Sequence, residues 1–175
     1  MKRDRISCED LVVKPHHLWD KQWLLLTSGD FGAGRYNAMA VGWGSLGTMW
    51  GKPFAQVVVR PSRCTREFME RYDTFTLCAF PEERRKAVAL LGSKSGRDGD
   101  KLAESGLTPE QSCVVAAPCF AEAELALECR KLYWQDMDAQ NFLDPAIARN
   151  YPGKDYHRIY FGEIVAVTGT GLWRG

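Results

Sequence analysis

Arginine and hydroxyl side chains are concentrated between Arg60 and Thr65, where an apolar run ends and a helix-forming run begins. Free N–H groups at the start of a helix attract anions, and arginine adds charge-assisted hydrogen bonds. Thr65 is well placed to be the N-cap of this helix. The segment therefore predicts a site for a phosphate-like anion, with an ordinary capped helix and solvated arginines as the alternative.

A second polar segment, Ser93 to Gly96, has the small and hydroxyl-bearing residues that can form a backbone nest for an anion. Taken alone, it is more typical of an ordinary solvated loop. The residues that follow, Arg97 to Lys101, are typical of the charged start of a short helix.

Three glycines and two tryptophans lie close together between Gly42 and Trp50. The glycines match G-x-G-x-x-G, but Gly51 and Pro53 prevent the helix that a Rossmann dinucleotide site requires after its last glycine. Two explanations remain: a tight connection between strands, or a loop whose backbone approaches a flat aromatic ligand. Combined with the two anion-type segments, the second explanation predicts a ligand with a flat ring and a phosphate tail.

Residues typical of metal sites and nucleophilic catalysis form no recognisable pattern. The six cysteines are scattered without a C-x-x-C pair, which favours reduced thiols over disulfides or a zinc site. His16 and His17 are adjacent, and adjacent side chains of a regular strand or helix do not converge on one metal. We therefore expect neither a metal site nor a covalent nucleophile.

The chain of 175 residues suits a single domain spanning residues 1–175, with its core over roughly residues 20–170. A formal net charge of +1 creates no overall field that would attract nucleic acid or an anionic membrane. No apolar run near the N-terminus resembles a secretory signal, and none approaches the length that spans a bilayer. We therefore expect a cytoplasmic protein that binds neither nucleic acid nor membrane.

Short and alternating apolar runs predict a mainly β fold with short inserted helices. Five or six strands are expected, at Trp23–Thr27, Tyr36–Val41, Phe54–Val59, Thr74–Phe80, Ala121–Cys129 continuing through Trp134, and His157–Thr168. Helices are expected at Thr65–Tyr72, at Pro81–Leu91 with Gly92 as its cap, and within Asp98–Ser105. Residues 137–155 are expected to form a loop with about one helical turn.

The strands are expected to pair antiparallel, because the connection between the first two leaves no room for a crossover helix. In Ala121–Cys129 the odd positions are apolar and three of the four even positions are Glu, which predicts one buried and one solvated face. Gly162 is the expected bulge of the last strand. A closed barrel, or strand pairing across a dimer, would remove the exposed edges of such a sheet.

Four segments, taken in order, resemble the flavin reductase-like FMN-binding family, and in particular its flavoredoxin-like branch. They are Asn37–Gly44 (NAMAVGWG), Lys52–Phe68 (KPFAQVVVRPSRCTREF), Phe80–Ala87 (FPEERRKA) and Leu91–Lys101 (LGSKSGRDGDK). The similarity extends from about Trp23 to Thr168, which is most of the chain. It implies a Greek-key split barrel that functions as a homodimer, with FMN bound near the subunit interface.

The resemblance also implies a set of site residues. Those along the isoalloxazine ring are Asn37, Trp43, Ser45, Thr48, Met49 and Trp50. Those around the ribityl phosphate are Arg60, Ser62, Arg63, Thr65, Ser93, Lys94, Ser95 and Gly96. His157 is the candidate catalytic residue beside the ring face, with a surface or capping histidine as the alternative. Ala40 departs from the family, in which a threonine often follows the Asn-Ala-Met segment, so a hydroxyl contact near the ring is missing.

The activity implied by the resemblance is electron transfer from NADH or NADPH through bound FMN to a small-molecule or protein acceptor. One alternative is a non-enzymatic FMN electron carrier that accepts electrons from a protein partner. Another is a barrel interaction domain that binds no flavin. The three differ in whether FMN binds and in whether NAD(P)H reduces it.

Overall fold

Ten β-strands and three α-helices are present in the computed structural model, which describes residues 2–175. The strands are β1 (Asp4–Ile6), β2 (Leu24–Asp30), β3 (Arg35–Val41), β4 (Gly44–Met49), β5 (Lys52–Val59), β6 (Thr74–Ala79), β7 (Pro109–Glu110), β8 (Cys119–Phe120), β9 (Leu125–Asp136) and β10 (Arg158–Gly169). The helices are α1 (Cys64–Arg71), α2 (Arg85–Ser93) and α3 (Lys101–Ser105). A π-helical turn occupies His17–Gln22, and 3-10 turns occupy Glu82–Arg84, Ala139–Asn141, Pro145–Asn150 and Gly171–Trp173.

Eight strands form one antiparallel sheet in the order β3-β2-β6-β9-β10-β5-β4, with β1 added along β10. The two edge strands, β3 and β4, are consecutive in the chain and are joined by Gly42 and Trp43 alone. The sheet must therefore curl until its edges approach each other, although no ladder among residues 2–175 joins them. This is the geometry of a split barrel, and the predicted mainly β, antiparallel split-barrel fold is confirmed.

The strand β2 is buried on both faces. Leu24 and Leu26 pack in the barrel interior with residues such as Phe75, whereas Leu25 packs on the outside with Val88 and Leu91 of α2. Consecutive strand residues point to opposite faces, so one run of leucines contributes to two cores. The outer core holds α2 against β2 and β3 and thereby positions the end of α2 beside β3.

Most of the predicted elements are confirmed within a few residues. All six predicted strands are present, with a register shift at Gly162 where the bulge was expected, and 3-10 turns lie in the predicted loop. The prediction lacks β1, β4 and the two-residue strands β7 and β8. The strand β4 pairs with β5 through a turn at Trp50 and Gly51, whose φ values of 55° and 69° are typical of a type I′ hairpin. The predicted cap at Gly92 is wrong, because α2 continues to Ser93 and ends at an extended Lys94.

Glu128 corrects the prediction that the glutamates of Ala121–Cys129 face solvent. Its side chain is buried, and its carboxylate accepts backbone N–H groups of Cys113, Val114 and Val115 at 2.8, 2.7 and 3.1 Å. The connection between β7 and β8 therefore covers this face of β9. The strand also begins later than predicted, at Leu125.

Disulfides, metal-binding clusters and membrane-spanning helices were each looked for in residues 2–175. All six cysteines are free thiols, and three of them are buried. Residues 2–175 contain no group of three or more His, Cys, Asp or Glu side chains that could hold a metal ion. None of the helices in this range has the length and apolar character needed to cross a bilayer.

Candidate functional site

A groove runs along β3, past the start of α1 and the connection between α2 and α3. It consists of a cavity of about 400 Å³ and a smaller one of about 170 Å³. The two cavities share Met39, Arg60 and Arg63, so they are neighbouring parts of one groove. Their linings differ in chemistry, since the larger is mostly polar and cationic, whereas the smaller combines the two shared arginines with residues of β3, Trp43, Val58 and His157.

The larger cavity brings together the two predicted anion segments. Its lining contains every residue predicted to surround a phosphate, namely Arg60, Ser62, Arg63, Thr65, Ser93, Lys94, Ser95 and Gly96. Met39, Cys64, Leu91 and Lys101 complete the lining. The fold therefore places the β5–α1 junction beside the end of α2, as a shared anion site would require.

The start of α1 differs from the prediction in one respect. Arg63, with an extended backbone and no side-chain cap, occupies the N-cap position, so the predicted N-cap role of Thr65 is wrong. Thr65 lies in the first helical turn, where it is buried, and its hydroxyl accepts a hydrogen bond of 2.8 Å from the Asn37 side-chain amide. Because that bond uses the hydroxyl only as an acceptor, the Thr65 O–H can still donate to a ligand in the cavity.

Gly96 allows the α2–α3 connection to approach β3 closely. A Cβ at this position would lie 2.5 Å from Asn37 Oδ1, which is too close for any side chain. Asn37, predicted to lie along the ring, is thus buried between Thr65 and Gly96 at the cationic end of the groove. Asn37 thus contacts both the start of α1, through Thr65, and the α2–α3 connection, through Gly96.

Lys101 is a site residue that the sequence-based prediction missed. It was expected in a charged helix start, yet its side chain is only 4% exposed and lines the larger cavity. Its ammonium donates to the Leu91 and Lys94 carbonyls, both at 3.0 Å. Nothing local in the sequence marks this burial, because it depends on how α3 packs on the end of α2. Arg97, by contrast, is exposed and paired with Glu67.

The smaller cavity is lined by Met39 to Trp43, by Val58 and His157, and by the shared Arg60 and Arg63. The ring centroids of Trp43 and His157 lie 5.2 Å apart, and the indole is 48% exposed. A flat aromatic ligand entering this cavity would meet the apolar edge of β3 and this aromatic pair. Of the residues predicted to lie beside the ring, Trp43 and His157 are thus the two that line this cavity.

His157 is buried at the start of β10, with its Nδ1 2.8 Å from the Tyr151 hydroxyl. Burial, followed by the positive charge of Arg60, lowers the pKa of His157 to about 4. The imidazole is therefore neutral near neutral pH. A neutral ring held on one nitrogen by Tyr151 leaves the other nitrogen available as a hydrogen-bonding group.

Arg60 connects the groove to the segment that precedes β10. Its Nη1 contacts both carboxylate oxygens of Asp155, at 2.8 and 2.9 Å, and its Nη2 donates to the Asn150 carbonyl at 2.7 Å. The guanidinium also lies 5.0 Å from the centroid of the Tyr151 ring. Arg60 is thus largely engaged by protein groups, and Arg63 and Lys101 are the cations that face the larger cavity with fewer competing anions.

Five of the six predicted ring-contact residues do not line the groove of this chain: Asn37, Ser45, Thr48, Met49 and Trp50. The Ser45 hydroxyl donates to Gln56 Oε1 at 2.8 Å. Trp50 lies at the β4–β5 turn, where its ring centroid is 6.2 Å from that of Tyr133 and 6.3 Å from that of Phe161. Their contact with a ring stays a prediction.

The glycine and tryptophan segment is explained mainly by packing. A Cβ on Gly44 would lie 2.3 Å from the Gln56 carbonyl oxygen and 2.5 Å from the Trp19 ring, so only glycine fits between β5 and Trp19. The segment continues as strand β4, which confirms that the Rossmann interpretation had to be rejected. A tight connection between strands is the explanation that these contacts favour.

Comparison with known proteins identifies relatives of the chain. A family model described as flavin reductase like domain matches residues 21–171. The uncharacterized protein YddH of Escherichia coli K12 is 34% identical over 110 residues, which cover 62% of this chain and 58% of YddH. The chain thus matches less than two thirds of that relative's length.

Solved structures share the fold at low sequence identity. The FMN-binding domain of a flavin reductases-like enzyme from Shewanella baltica matches with a TM-score of 0.70 and 18% identity, over 96% of this chain and 77% of that one. Flavoredoxin from Methanosarcina acetivorans matches with a TM-score of 0.65 and 23% identity, over 98% and 77%. Flavoredoxin of Desulfovibrio vulgaris matches with a TM-score of 0.67 and 22% identity, over 98% and 78%. At these identities the likeness establishes the split-barrel fold.

Proposed function

The chain belongs to the flavin reductase-like family, and we propose on this premise that it is an FMN-binding oxidoreductase that takes electrons from NADH or NADPH. The acceptor would be a small molecule or a redox protein. The observation that carries the proposal is the convergence of Arg60–Thr65 and Ser93–Gly96 on one cavity that continues into a second one bordered by β3, Trp43 and His157. Solved proteins of the same fold that are described as FMN-binding support it further.

The residues at the two ends of the groove suit the two ends of FMN, its phosphate and its ring. Cationic and hydroxyl groups at one end suit a phosphate, and the apolar edge of β3 with Trp43 at the other end suits a flat ring. Gly96, which leaves no room for a Cβ against Asn37, keeps the loop wall close to β3. When bound, FMN would supply hydride and electron transfer chemistry at its ring.

The phosphate would be held by Arg63, Thr65, Ser93, Ser95 and Lys101. The N–H groups of Cys64 and Thr65, the first two residues of α1, precede the intrahelical hydrogen bonds and add donors at the same end. Arg63 also donates to the Gly92 carbonyl at 3.0 Å, so its guanidinium is oriented by the end of α2 before a ligand arrives. This arrangement would bind and orient the phosphate tail while leaving the ring end accessible.

The ring would lie against β3 between Met39 and Trp43, next to His157. Because the pKa of His157 is lowered to about 4, the side chain offers a hydrogen bond without a positive charge at neutral pH. Tyr151 fixes the orientation of the imidazole through the 2.8 Å contact with Nδ1. We assign His157 the role of a neutral polar group at the ring face.

A homodimer is part of the same proposal. Aromatic side chains gather where the β4–β5 turn meets the end of β9 and the start of β10, and this aromatic patch consists of the exposed Trp50 and Tyr133 and the neighbouring Phe161. Exposed apolar patches of this kind are typical of protein interfaces. In such a dimer, Thr48, Met49 and Trp50 would contact a ring only if the partner's groove faces this turn.

Anaerobic reduction tests the activity. The FMN-loaded protein is mixed with NADH or with NADPH, and the flavin absorbance near its visible maximum is followed. Bleaching by at least one nucleotide at a catalytic rate is the expected result. If neither nucleotide reduces the bound FMN while a protein reductant does, the chain is an electron carrier and not a reductase.

A further inference from the structure

Lys101 is a buried cation without an anionic partner. Its side chain is 4% exposed, and no carboxylate in residues 2–175 forms an ion pair with it. The nearby acidic side chains are engaged elsewhere, since Glu104 pairs with Lys94 at 2.5 Å and Glu67 pairs with Arg97. A buried charge without a counter-charge is costly, so an anionic ligand that supplied the opposite charge would relieve that cost.

The direction of α2 makes this cation necessary for anion binding. The C-terminal end of α2 faces the larger cavity, and helix C-termini repel anions because their carbonyl oxygens lack partners. Lys101 donates hydrogen bonds to the Leu91 and Lys94 carbonyls, and Arg63 donates one to the Gly92 carbonyl. The two cations thereby convert a carbonyl-lined wall into a cationic one.

One donor of Lys101 remains for a ligand. An ammonium group has three N–H donors, and two are used by the backbone carbonyls. Burial, with a smaller contribution from the charge of Arg63, lowers the pKa of Lys101 below its usual range. An anion in the cavity would favour the charged form and reverse that effect.

We propose that Lys101 makes the site selective for a flavin that carries a terminal phosphate, by supplying the buried counter-charge for that phosphate. This inference rests on the proposed function, because it concerns the phosphate end of the same groove. It assigns to Lys101 the discrimination between FMN and riboflavin, which share the ring and differ in the phosphate. The more exposed Lys94, paired with Glu104, contributes less.

The test compares FMN and riboflavin binding to apoprotein, measured by quenching of flavin fluorescence. Lys101→Gln is the main variant, because glutamine keeps two N–H donors for the Leu91 and Lys94 carbonyls and removes the charge. Lys101→Arg keeps the charge. Lys86→Met, a change of an exposed lysine on α2 outside the groove, is the matched control.

We expect Lys101→Gln to weaken FMN binding by about 10- to 100-fold while riboflavin binding changes less than about threefold, the range for losing a charged partner. Lys101→Arg and Lys86→Met should keep the wild-type preference for FMN. Equal losses for both flavins in Lys101→Gln, or an unchanged preference, would overturn the inference. If Lys101→Gln fails to fold, loss of the preference in a folded Lys101→Arg would overturn it instead.

Failure of the proposed function gives a different result. In that case the wild-type protein binds neither FMN nor riboflavin, and the inference is overturned with it. Wild-type protein that prefers FMN, combined with Lys101→Gln that still prefers it, leaves the proposed function intact and removes only the role of Lys101.

Discussion

The Asn37 amide donates to the Thr65 hydroxyl at 2.8 Å and so joins the middle of β3 to the first turn of α1. Both side chains are buried, and Thr65 lines the cationic end of the groove. This hydrogen bond fixes the distance between the strand against which a ring would lie and the helix start at which a phosphate would bind. The geometry of the site therefore depends on it.

Replacing Thr65 with alanine should weaken FMN binding by about 1–3 kcal/mol, because a donor to the phosphate is lost and the Asn37 amide is left unpaired. Thr65→Ser retains the hydroxyl and should bind FMN nearly as well as the wild type. Fluorescence titration measures both. Equal FMN affinity for the alanine and serine variants would show that the hydroxyl takes no part in binding.

Gly96→Ala should damage the site, because its Cβ would lie 2.5 Å from Asn37 Oδ1. We expect the free energy of unfolding to fall by about 1–3 kcal/mol, as for other overpacked positions, and FMN affinity to fall as well. Gly171→Ala is the control, since a Cβ there meets no atom within 4 Å. Urea denaturation compares the two, and similar stabilities would contradict the close contact described for Gly96.

The neutral state of His157 should be visible as a pH dependence of stability. The pKa is lowered from 6.5 to about 4 by burial, so the unfolded chain takes up a proton at a higher pH than the folded chain. The stabilisation is fully present above about pH 6.5 and is lost as the pH falls toward about 4. It amounts to about 3 kcal/mol at most.

Urea denaturation at several pH values in this window measures the effect. His157→Gln cannot titrate, so its stability should fall less steeply with decreasing pH than that of the wild type. Other titrating groups contribute equally to both proteins and cancel in the difference. Parallel pH profiles would mean that His157 is protonated in the folded protein as readily as in the unfolded one.

The aromatic patch should be part of a subunit interface. Trp50→Asn removes an indole that is 59% exposed and introduces a residue that tolerates the positive φ of this turn. We expect light scattering after gel filtration to give twice the 19.7 kDa chain mass for the wild type and a shift toward the monomer for the variant. Leu172→Ser, an exposed apolar residue outside the patch, should leave the mass unchanged. A monomeric wild type would exclude the homodimer.

Local patterns in the sequence predict the strands that form the two cores, because runs such as Leu24–Leu26 have no stable alternative to burial. They do not predict β4, whose Gly-rich sequence has little intrinsic strand preference and depends on pairing with β5. The buried state of Glu128 could not be predicted either, because its partners lie in a distant connection that covers β9.

The candidate site likewise combines residues that the local sequence predicts with residues that only tertiary contacts bring into place. The hydroxyls and arginines of Arg60–Thr65 and Ser93–Gly96 could be identified from composition, and the fold brings them together. Lys101 could not, because its desolvation is a consequence of tertiary packing between α2 and α3. The hydrogen bond between Asn37 and Thr65 is likewise a contact between distant segments that no local pattern encodes.

The central claim is that FMN binds in this groove, and a titration of apoprotein with FMN tests it most directly. Ser95→Glu places a carboxylate in the larger cavity, and Gln111→Glu adds the same charge at an exposed position outside it. The proposed site predicts saturable binding of one FMN per chain to the wild type and to Gln111→Glu, with little or none to Ser95→Glu. Absence of saturable binding to the wild type, or equal binding to all three proteins, would contradict it.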